Sequence, residues 1–286
     1  VYSLRWKKYI HPRLQKMFDK SWARYLLKTG LAGISLRLLE ILTPPQRQII
    51  QHLKEWKPDA VMASPVNLRY SSAELEYLKA AVWLRIPSVL PMSSWDNITN
   101  KGIYHIWPDR FLLWNSVQVK NIKKHQGVPS ERTRIVGVNT LDQWFPPPAP
   151  TPRKVFCEKH GLWEGERIVS FFGGSSLMTL GDESGFVYKL RDIFNQSRDQ
   201  RLKKTQILVR PHPRYRKFYG KINLPGVSIV PKDEFRWEQH DFLQTLYDTI
   251  YHSEVIIGVN TSVMLDAIVM DKPVISVFTD EYIHTQ

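Results

Sequence analysis

The stretch from residue 255 to residue 278 most constrains the fold, because it reads as strand, polar turn, helix and second strand in direct succession. Residues 255–259 are an uninterrupted apolar run, which is typical of a strand buried on both faces of a parallel sheet. A short apolar helix follows, Lys272 and Pro273 end it, and residues 273–278 are again largely apolar. Such a unit predicts an α/β fold with a parallel sheet.

The turn of this unit holds Asn260, Thr261 and Ser262, at the predicted start of the helix. Helix N-termini carry unpaired N–H groups and a partial positive charge, and open α/β sheets bind ligands at the carboxyl ends of their strands. We therefore interpret the turn as a diphosphate site, with helix capping by Thr261 or Ser262 as the alternative. Asp266 lies one helical turn after Ser262, where it could bond a sugar hydroxyl or brace the loop.

The same alternation of strands and helices runs through the rest of the chain. Strands are predicted at residues 59–64, 87–92, 110–114, 134–138, 168–172, 206–209 and 227–230. A proline-rich linker at 146–153 then divides an N-terminal domain, 1–145, from a C-terminal domain, 154–286. We expect an α/β protein of two Rossmann-like parallel-sheet domains that face a cleft.

Composition limits the function. The 286 residues carry a formal net charge of +13, which favours polyanionic partners. Cys157 is the single cysteine, no apolar run could span a bilayer, and no apolar signal segment precedes the first domain. We expect a cytoplasmic protein, peripheral on the inner face of a membrane if it binds one. Because the chain begins without methionine and stops just after a predicted strand, we also expect it to be truncated at both ends.

Residues 1–29 form a basic segment in which Lys and Arg alternate with Trp, Tyr and other apolar residues at near-helical spacing. A basic amphipathic helix of this kind can lie on an anionic membrane surface. The alternative, which we prefer, is a surface helix that packs its apolar stripe on the domain.

The loop at 93–102 follows a predicted strand and carries one acid, one base and several amides. Its candidate residues for the acceptor side of a reaction are Ser94, Trp95, Asp96, Asn97 and Lys101. Asp96 is the candidate general base, since it is the only carboxylate between Glu76 and Asp109. The alternative is an ordinary turn rich in Asn and Asp, which would not account for Trp95 or Lys101.

Two further loops follow predicted strands in the second domain. In the first, a glycine pair would let the backbone approach a ligand, and its candidate ligand-binding residues are Gly174, Ser175 and Ser176. In the second, prolines flank His212, which could bind a phosphate or act as an acid or base. Arg210 beside it suits bidentate phosphate contact. A purely structural histidine is the alternative.

Several common sites are missing from the sequence. The nine histidines and one cysteine form no cluster with metal-ligand spacing. Phosphate-binding loops of the Walker type, the glycine fingerprint of dinucleotide-binding folds and the nucleophile elbow of hydrolases are also absent. Nothing resembles a nucleic-acid recognition motif. We therefore expect no metal, no bound cofactor and no nucleic-acid partner.

Several of these motifs together resemble those of a known protein family. The sequence RPHP at 210–213, followed by SEVIIGVNTSVMLDAIVMDKPVISVF, resembles the C-terminal domain of GT-B glycosyltransferases, in the surface-polysaccharide and CDP-glycerol glycerophosphotransferase-like branch. SSWDNITNKG, RFLLWN and RIVGVNTLDQW are similar to the first domain of bacterial GT-B proteins. The resemblance covers roughly 87–278. It implies a nucleotide donor in the second domain and an acceptor in the first.

The resemblance also implies roles for individual residues. Arg210 and His212 would contact the donor phosphates, and Ser175 and Ser176 would line the donor side. The turn Asn260, Thr261 and Ser262 would bond the diphosphate. The glycerophosphotransferases have a histidine in the first-domain loop where this chain has Asp96, so sugar transfer is favoured.

The resemblance implies that the sugar moves from a nucleotide-diphosphate sugar to a carbohydrate or lipid-linked acceptor, without a metal, in surface polysaccharide or glycolipid synthesis. The alternatives are a non-hydrolysing UDP-sugar 2-epimerase, a CDP-glycerol glycerophosphotransferase and a non-catalytic protein that binds polyanions or membranes.

Overall fold

The computed structural model describes most of the chain and divides it into two compact units, 1–142 and 143–286. The described residues are 16, 19–22, 25, 31–64, 73–100, 102–174, 183–230, 242–259 and 261–278. Each unit has its own parallel sheet with helical connections between the strands, which confirms the predicted α/β class.

The first unit has a four-stranded sheet in the order β1-β2-β3-β4. Its strands are β1 (Val61–Met62), β2 (Ser88–Pro91), β3 (Arg110–Leu113) and β4 (Thr133–Ile135). From residue 31 onward, the helices described in this unit are α1 (Leu31–Leu42), α2 (Arg47–Trp56), α3 (Ala73–Leu84), α4 (Asn97–Asn100) and α5 (Ser116–Gln126). The short helix α4 is a single helical turn inside the predicted polar loop 93–102.

The core of the first unit lies between the sheet and the helices that cross it. Leu90 and Phe111 are paired in the sheet and fully buried, together with Leu78 of α3 and Ile122 of α5. Because all strands run the same way, the segments after β2 and β3 emerge at one edge of the sheet, and the segments before them at the other.

The second unit has a five-stranded sheet in the order β7-β6-β5-β8-β9. Its strands are β5 (Ile168–Phe172), β6 (Gln206–Arg210), β7 (Val227–Ile229), β8 (Val255–Gly258) and β9 (Val274–Ser276). Its helices are α6 (Arg153–His160), α7 (Ser184–Gln196), α8 (Gln200–Lys204), α9 (Arg216–Tyr219), α10 (Phe242–His252) and α11 (Val263–Val269). Every residue of β5 and β6 is buried, including the polar residues Ser170, Gln206 and Arg210, because both strands lie inside the sheet and helices cover its faces.

The strand order of the second unit reverses at β5. From β5 the chain proceeds to β6 and β7 on one side, then crosses to β8 and β9 on the other. In open α/β sheets, ligands bind at the carboxyl ends of the strands beside such a reversal. We therefore expect a ligand site of the second unit at the turns after β5, β6 and β8.

Most of the basic segment 1–29 lies outside the described residues, so its two interpretations remain open. Of its aromatic residues, Trp22 and Tyr25 are described, and both are exposed. Within the described parts of the chain, no helix has the length and apolar character needed to cross a bilayer.

Candidate functional site

The turn after β5 packs directly on the turn after β6. The Gly173 N–H donates to the Arg210 carbonyl at 3.0 Å, which continues the pairing of the two strands. A Cβ atom at Gly173 would lie 2.8 Å from the Tyr219 hydroxyl and 3.2 Å from the His212 nitrogen. Glycine suits this position because a side chain would clash with the Tyr219 hydroxyl and crowd the His212 backbone.

The turn after β8 shows the same close approach. A Cβ atom at Gly258 would lie 2.9 Å from Thr261 Cγ2 and 3.3 Å from the Phe172 carbonyl oxygen at the end of β5. The ends of β5, β6 and β8 thus converge around two glycines. Gly173 belongs to the predicted glycine pair, whereas the sequence interpretation did not single out Gly258. Gly258 ends an apolar strand, and that position is the signal that could have found it.

We expect Gly258→Ala to lower the free energy of unfolding by about 1–3 kcal/mol, because the added methyl overpacks the strand end. Thr261→Ser removes the nearest atom, Cγ2, so it should recover part of this loss in the double variant. Urea denaturation measures both effects. Gly185→Ala is the control: nothing lies within 4 Å of its Cβ position on α7, so no destabilisation is expected. A double variant no more stable than Gly258→Ala would contradict the steric account.

His212 lies at the edge formed by these turns and is half-buried. Its carbonyl accepts a hydrogen bond from the Tyr215 N–H at 2.8 Å, and its ring centroid is 5.8 Å from that of Tyr215. Tyr215 in turn stacks on Phe218 at 6.0 Å. The flanking prolines and this aromatic contact hold the imidazole at the carboxyl edge, as the sequence predicts.

Arg210 takes a different direction from the one its predicted role needs. Its side chain is buried, its Nη1 donates to the Thr249 hydroxyl at 3.3 Å, and its guanidinium lies 5.3 Å from the Phe242 ring. Thr249 and Phe242 both belong to α10. These contacts tie β6 to α10, and phosphate contact by Arg210 remains a prediction.

The remaining donor-side candidates lie around the turns. Ser262 is exposed and makes no side-chain capping bond to α11, so the capping alternative does not apply to it. The Gly174 N–H donates to the Glu183 carboxylate at 2.8 Å, a buried acid that the sequence interpretation missed. Ser175, Ser176 and Asn260 lie outside the described residues.

Asp266 braces the unit from α11. Its carboxylate accepts a hydrogen bond from Trp144 Nε1 at 2.8 Å, and Trp144 is buried and stacks on Tyr247 at 5.9 Å. Burial raises the pKa of Asp266, while the Trp144 bond acts in the opposite direction. Of the two roles predicted for this residue, bracing is the one that these contacts support.

In the first unit, Asp96 lies at the carboxyl edge after β2. Its side chain is 5% exposed and accepts a hydrogen bond from the Ser94 hydroxyl. The neighbouring Trp95 is 47% exposed, whereas Asn97 is buried and its Nδ2 donates to the Ser93 hydroxyl at 3.3 Å. The loop therefore presents an indole to solvent beside a sheltered carboxylate. Lys101 lies outside the described residues.

Two glutamines of α5 hold this loop in place. Gln126 Nε2 donates to the carbonyls of Ile98 at 2.8 Å and Gly102 at 3.0 Å. Gln118 Nε2 donates to the Ser94 carbonyl at 3.4 Å. The sequence interpretation missed both residues, although their spacing of eight places them on one helical face beside Ile122.

The loop also touches a buried phenol. Tyr104 follows the loop, and its N–H donates to Gln126 Oε1 at 3.0 Å. Burial raises the pKa of Tyr104 to about 12; a side-chain hydrogen bond with Asn97 lowers it and the nearby charge of Asp96 raises it. The phenol thus stays neutral at physiological pH and contributes packing rather than acid–base chemistry.

No three His, Cys, Asp or Glu side chains among the described residues lie together in a way that could hold a metal ion. The candidate groups for acid–base chemistry are therefore the Asp96 carboxylate in the first unit and the His212 imidazole in the second.

No protein-family model matches the sequence, and a search of curated proteins found no match. Solved structures do resemble the fold. UDP-GlcNAc 2-epimerase from Neisseria meningitidis bound to UDP-GlcNAc aligns with a TM-score of 0.55 and 12% identity over 80% of this chain and 62% of that one. UDP-GlcNAc 2-epimerase from Methanocaldococcus jannaschii in complex with UDP-GlcNAc and UDP aligns with a TM-score of 0.52 and 15% identity over 80% of this chain and 62% of that one.

The chain thus spans less than two thirds of the length of these epimerases. The wall teichoic acid polymerase TagF aligns with a TM-score of 0.35 over 58% of this chain, which is too low to support the predicted branch. At these identities the similarity concerns the fold alone. That fold is α/β, of the GT-B type, with two Rossmann-like parallel sheets.

Proposed function

We propose that the chain is a glycosyltransferase that moves a sugar from a nucleotide-diphosphate sugar to a carbohydrate or lipid-linked acceptor in surface polysaccharide or glycolipid synthesis. One observation carries the proposal. At the strand-order reversal of the second sheet, the glycines Gly173 and Gly258 let the strand ends pack closely, and the Gly173 turn lies against the half-buried His212. Closely packed turns beside an imidazole at this edge of the sheet suit the diphosphate of a nucleotide.

The second unit would act on the leaving group. When the sugar departs, the nucleotide diphosphate gains negative charge, and groups aimed at it lower the barrier. His212 and the Thr261–Ser262 turn are the candidates for this contact, with Gly174 beside them. This chemistry uses side chains and backbone already present in the chain.

The first unit would hold the acceptor. Asp96 is the candidate base for the acceptor hydroxyl, and one of its carboxylate oxygens already accepts a hydrogen bond from Ser94, which orients the group. The exposed Trp95 indole offers a face on which a sugar ring could stack.

A second candidate function is the 2-epimerisation of a UDP-sugar. The observation in its favour is the fold similarity to the UDP-GlcNAc 2-epimerases. The two functions differ in their need for an acceptor. Incubation with UDP-GlcNAc alone, followed by product analysis, would yield a 2-epimer only if the chain is an epimerase.

Nucleotide binding gives the direct test of the donor site. His212→Ala and Thr261→Val are each expected to weaken the binding of the cognate nucleoside diphosphate by about 10–150-fold, since a charge-assisted hydrogen bond contributes about 1.5–3 kcal/mol. Thermal-shift screening of UDP-, GDP-, CDP- and dTDP-sugars identifies the ligand, and calorimetry measures its affinity.

His125→Ala is the matched control, because this exposed histidine lies on α5 of the first unit. Unchanged affinity in both donor-site variants would show that the nucleotide binds elsewhere.

A further inference from the structure

A cavity of about 560 Å³ opens at the amino edge of the first sheet, opposite the edge that carries loop 93–102. Asp109 and Arg132, which immediately precede β3 and β4, line it. Helix α1 contributes Arg37 and Ile41, and the carboxyl end of α3 contributes Val82 and Trp83. The cavity is thus separate from the candidate site described above, and the proposed function does not use it.

The cavity is strongly cationic. Its basic lining residues are Arg37, Lys79, Arg85 and Arg132. Glu40 accepts from Lys79 Nζ at 2.7 Å and offsets that charge, while Asp109, which lines the cavity and accepts from the Ser88 N–H at 2.9 Å, is a single carboxylate against the arginines. Within the described residues no carboxylate forms an ion pair with the three arginines. Their charge is therefore available to an anion.

The arginines are also held in place. The Arg37 guanidinium lies 3.7 Å from the centre of the Trp107 ring, and Arg132 Nη1 donates to the Pro108 carbonyl at 2.8 Å. Burial lowers the pKa of His105, which lines the same cavity, so this imidazole adds no charge at neutral pH. A preorganised set of guanidinium groups suits a phosphate.

The rim of the cavity is apolar and exposed. Trp83 is 55% exposed, and Ile41 and Val82 beside it are exposed as well. The outer face of α1 continues this surface with residues between 54% and 75% exposed, namely Leu31, Ile34, Leu38 and Leu42. The opposite face of α1 is fixed to the unit through Arg37 and Glu40.

A free phosphate compound as the ligand would account for the arginines but not for the exposed apolar rim. A second copy of the chain is also a poor fit, because a symmetric interface would bring this cationic cavity against its own copy. A partner surface that is both apolar and negatively charged would fit the apolar rim and the basic cavity together.

We propose that α1 and this cavity, with Trp83 at the rim, form a binding site for an anionic phospholipid surface. The outer face of α1 enters the boundary between headgroups and acyl chains, and a lipid phosphate occupies the cavity beside Arg85. This arrangement holds the first unit on the membrane, with the candidate site at the opposite edge of its sheet.

Vesicle binding tests the site. The full chain is sedimented with phosphatidylcholine vesicles that contain or lack phosphatidylglycerol. Leu38→Asp/Leu42→Asp is expected to weaken binding to the anionic vesicles at least tenfold, because it puts charge on the inserted face. Arg85→Asn is expected to weaken it about fivefold, since a basic residue near such a surface contributes about 1 kcal/mol. Asparagine tolerates the left-handed backbone at position 85, where φ is 58°.

Two control variants make the same kinds of substitution at residues outside α1 and the cavity. Ile193→Asp alters an exposed apolar residue of α7, Lys124→Asn removes an exposed charge from α5, and neither should affect vesicle binding. The α1 variant leaves residues 1–29 intact, so unchanged binding in it would assign the membrane contact to that basic segment and overturn the proposal. Equal binding to neutral vesicles would overturn the role of the cavity. A concentration-dependent dimer that the α1 variant dissolves, without vesicle binding, would assign the surface to a second copy.

Discussion

Asp96→Asn is expected to lower the rate of sugar transfer by about 10²–10⁴-fold, the usual contribution of a general base. The amide keeps the shape of the side chain and an oxygen that can accept from Ser94, so the loop should keep its structure. What it loses is the ability to take a proton. Single-turnover transfer assays with a cognate donor and acceptor measure the effect, once the thermal-shift screen has identified the donor.

Two comparisons make this result specific. Asp59→Asn, at an exposed carboxylate of the same unit, should leave transfer unchanged. Nucleotide affinity of Asp96→Asn should also stay within about twofold of the original chain, because we assign the donor to the second unit. Full transfer activity in Asp96→Asn would make Asp96 a turn residue only, and loss of nucleotide binding would refute the assignment of donor and acceptor to separate units.

Glu40→Gln is expected to lower the free energy of unfolding by about 3 kcal/mol, because it leaves a buried ammonium group without its counter-charge. Lys79 is 5% exposed, and its Nζ donates to the Glu40 carboxylate at 2.7 Å across α3 and α1. Glu40 is one-third exposed, so water offsets part of the loss and the lower end of the range for buried pairs applies. Urea denaturation measures the change.

Adding Lys79→Met to Glu40→Gln should recover most of that stability, since an apolar side chain needs no counter-charge. Asp199→Asn, which breaks the exposed Asp199–Arg201 pair, should have no measurable effect. If Glu40→Gln is as stable as the original chain, the ion pair does not hold α1 to α3, and the fixed inner face used in the membrane proposal loses its support.

The local elements of this fold were predictable from the sequence. Residues 255–278 form β8, α11 and β9 as their periodicity predicts, because burial on both faces of a central strand requires an uninterrupted apolar run. The position of His212 at a strand end was predictable too, since proline at 211 and 213 cannot continue β6 within the sheet.

Side-chain partners were not predictable in the same way. Asp266 binds Trp144, which lies 122 residues earlier in the chain, and Arg210 turns to Thr249 on α10 instead of to the open edge. Nothing in the neighbourhood of either residue encodes those contacts. The cavity beneath α1 likewise collects residues from helices and loops that meet only in the folded unit.

The sequence by itself determined where the strands lie and that they are parallel, because these properties depend on short apolar runs and on their alternation with helical segments. It did not predict helix α4 inside loop 93–102. Tertiary structure alone decided that a side chain at Gly173 would clash with Tyr219 and that one at Gly258 would crowd the Phe172 carbonyl on the neighbouring strand β5. It also decided that Asp266 braces Trp144 and that three arginines converge under α1. Contacts of this kind depend on how distant segments cross, and local periodicity carries no information about that.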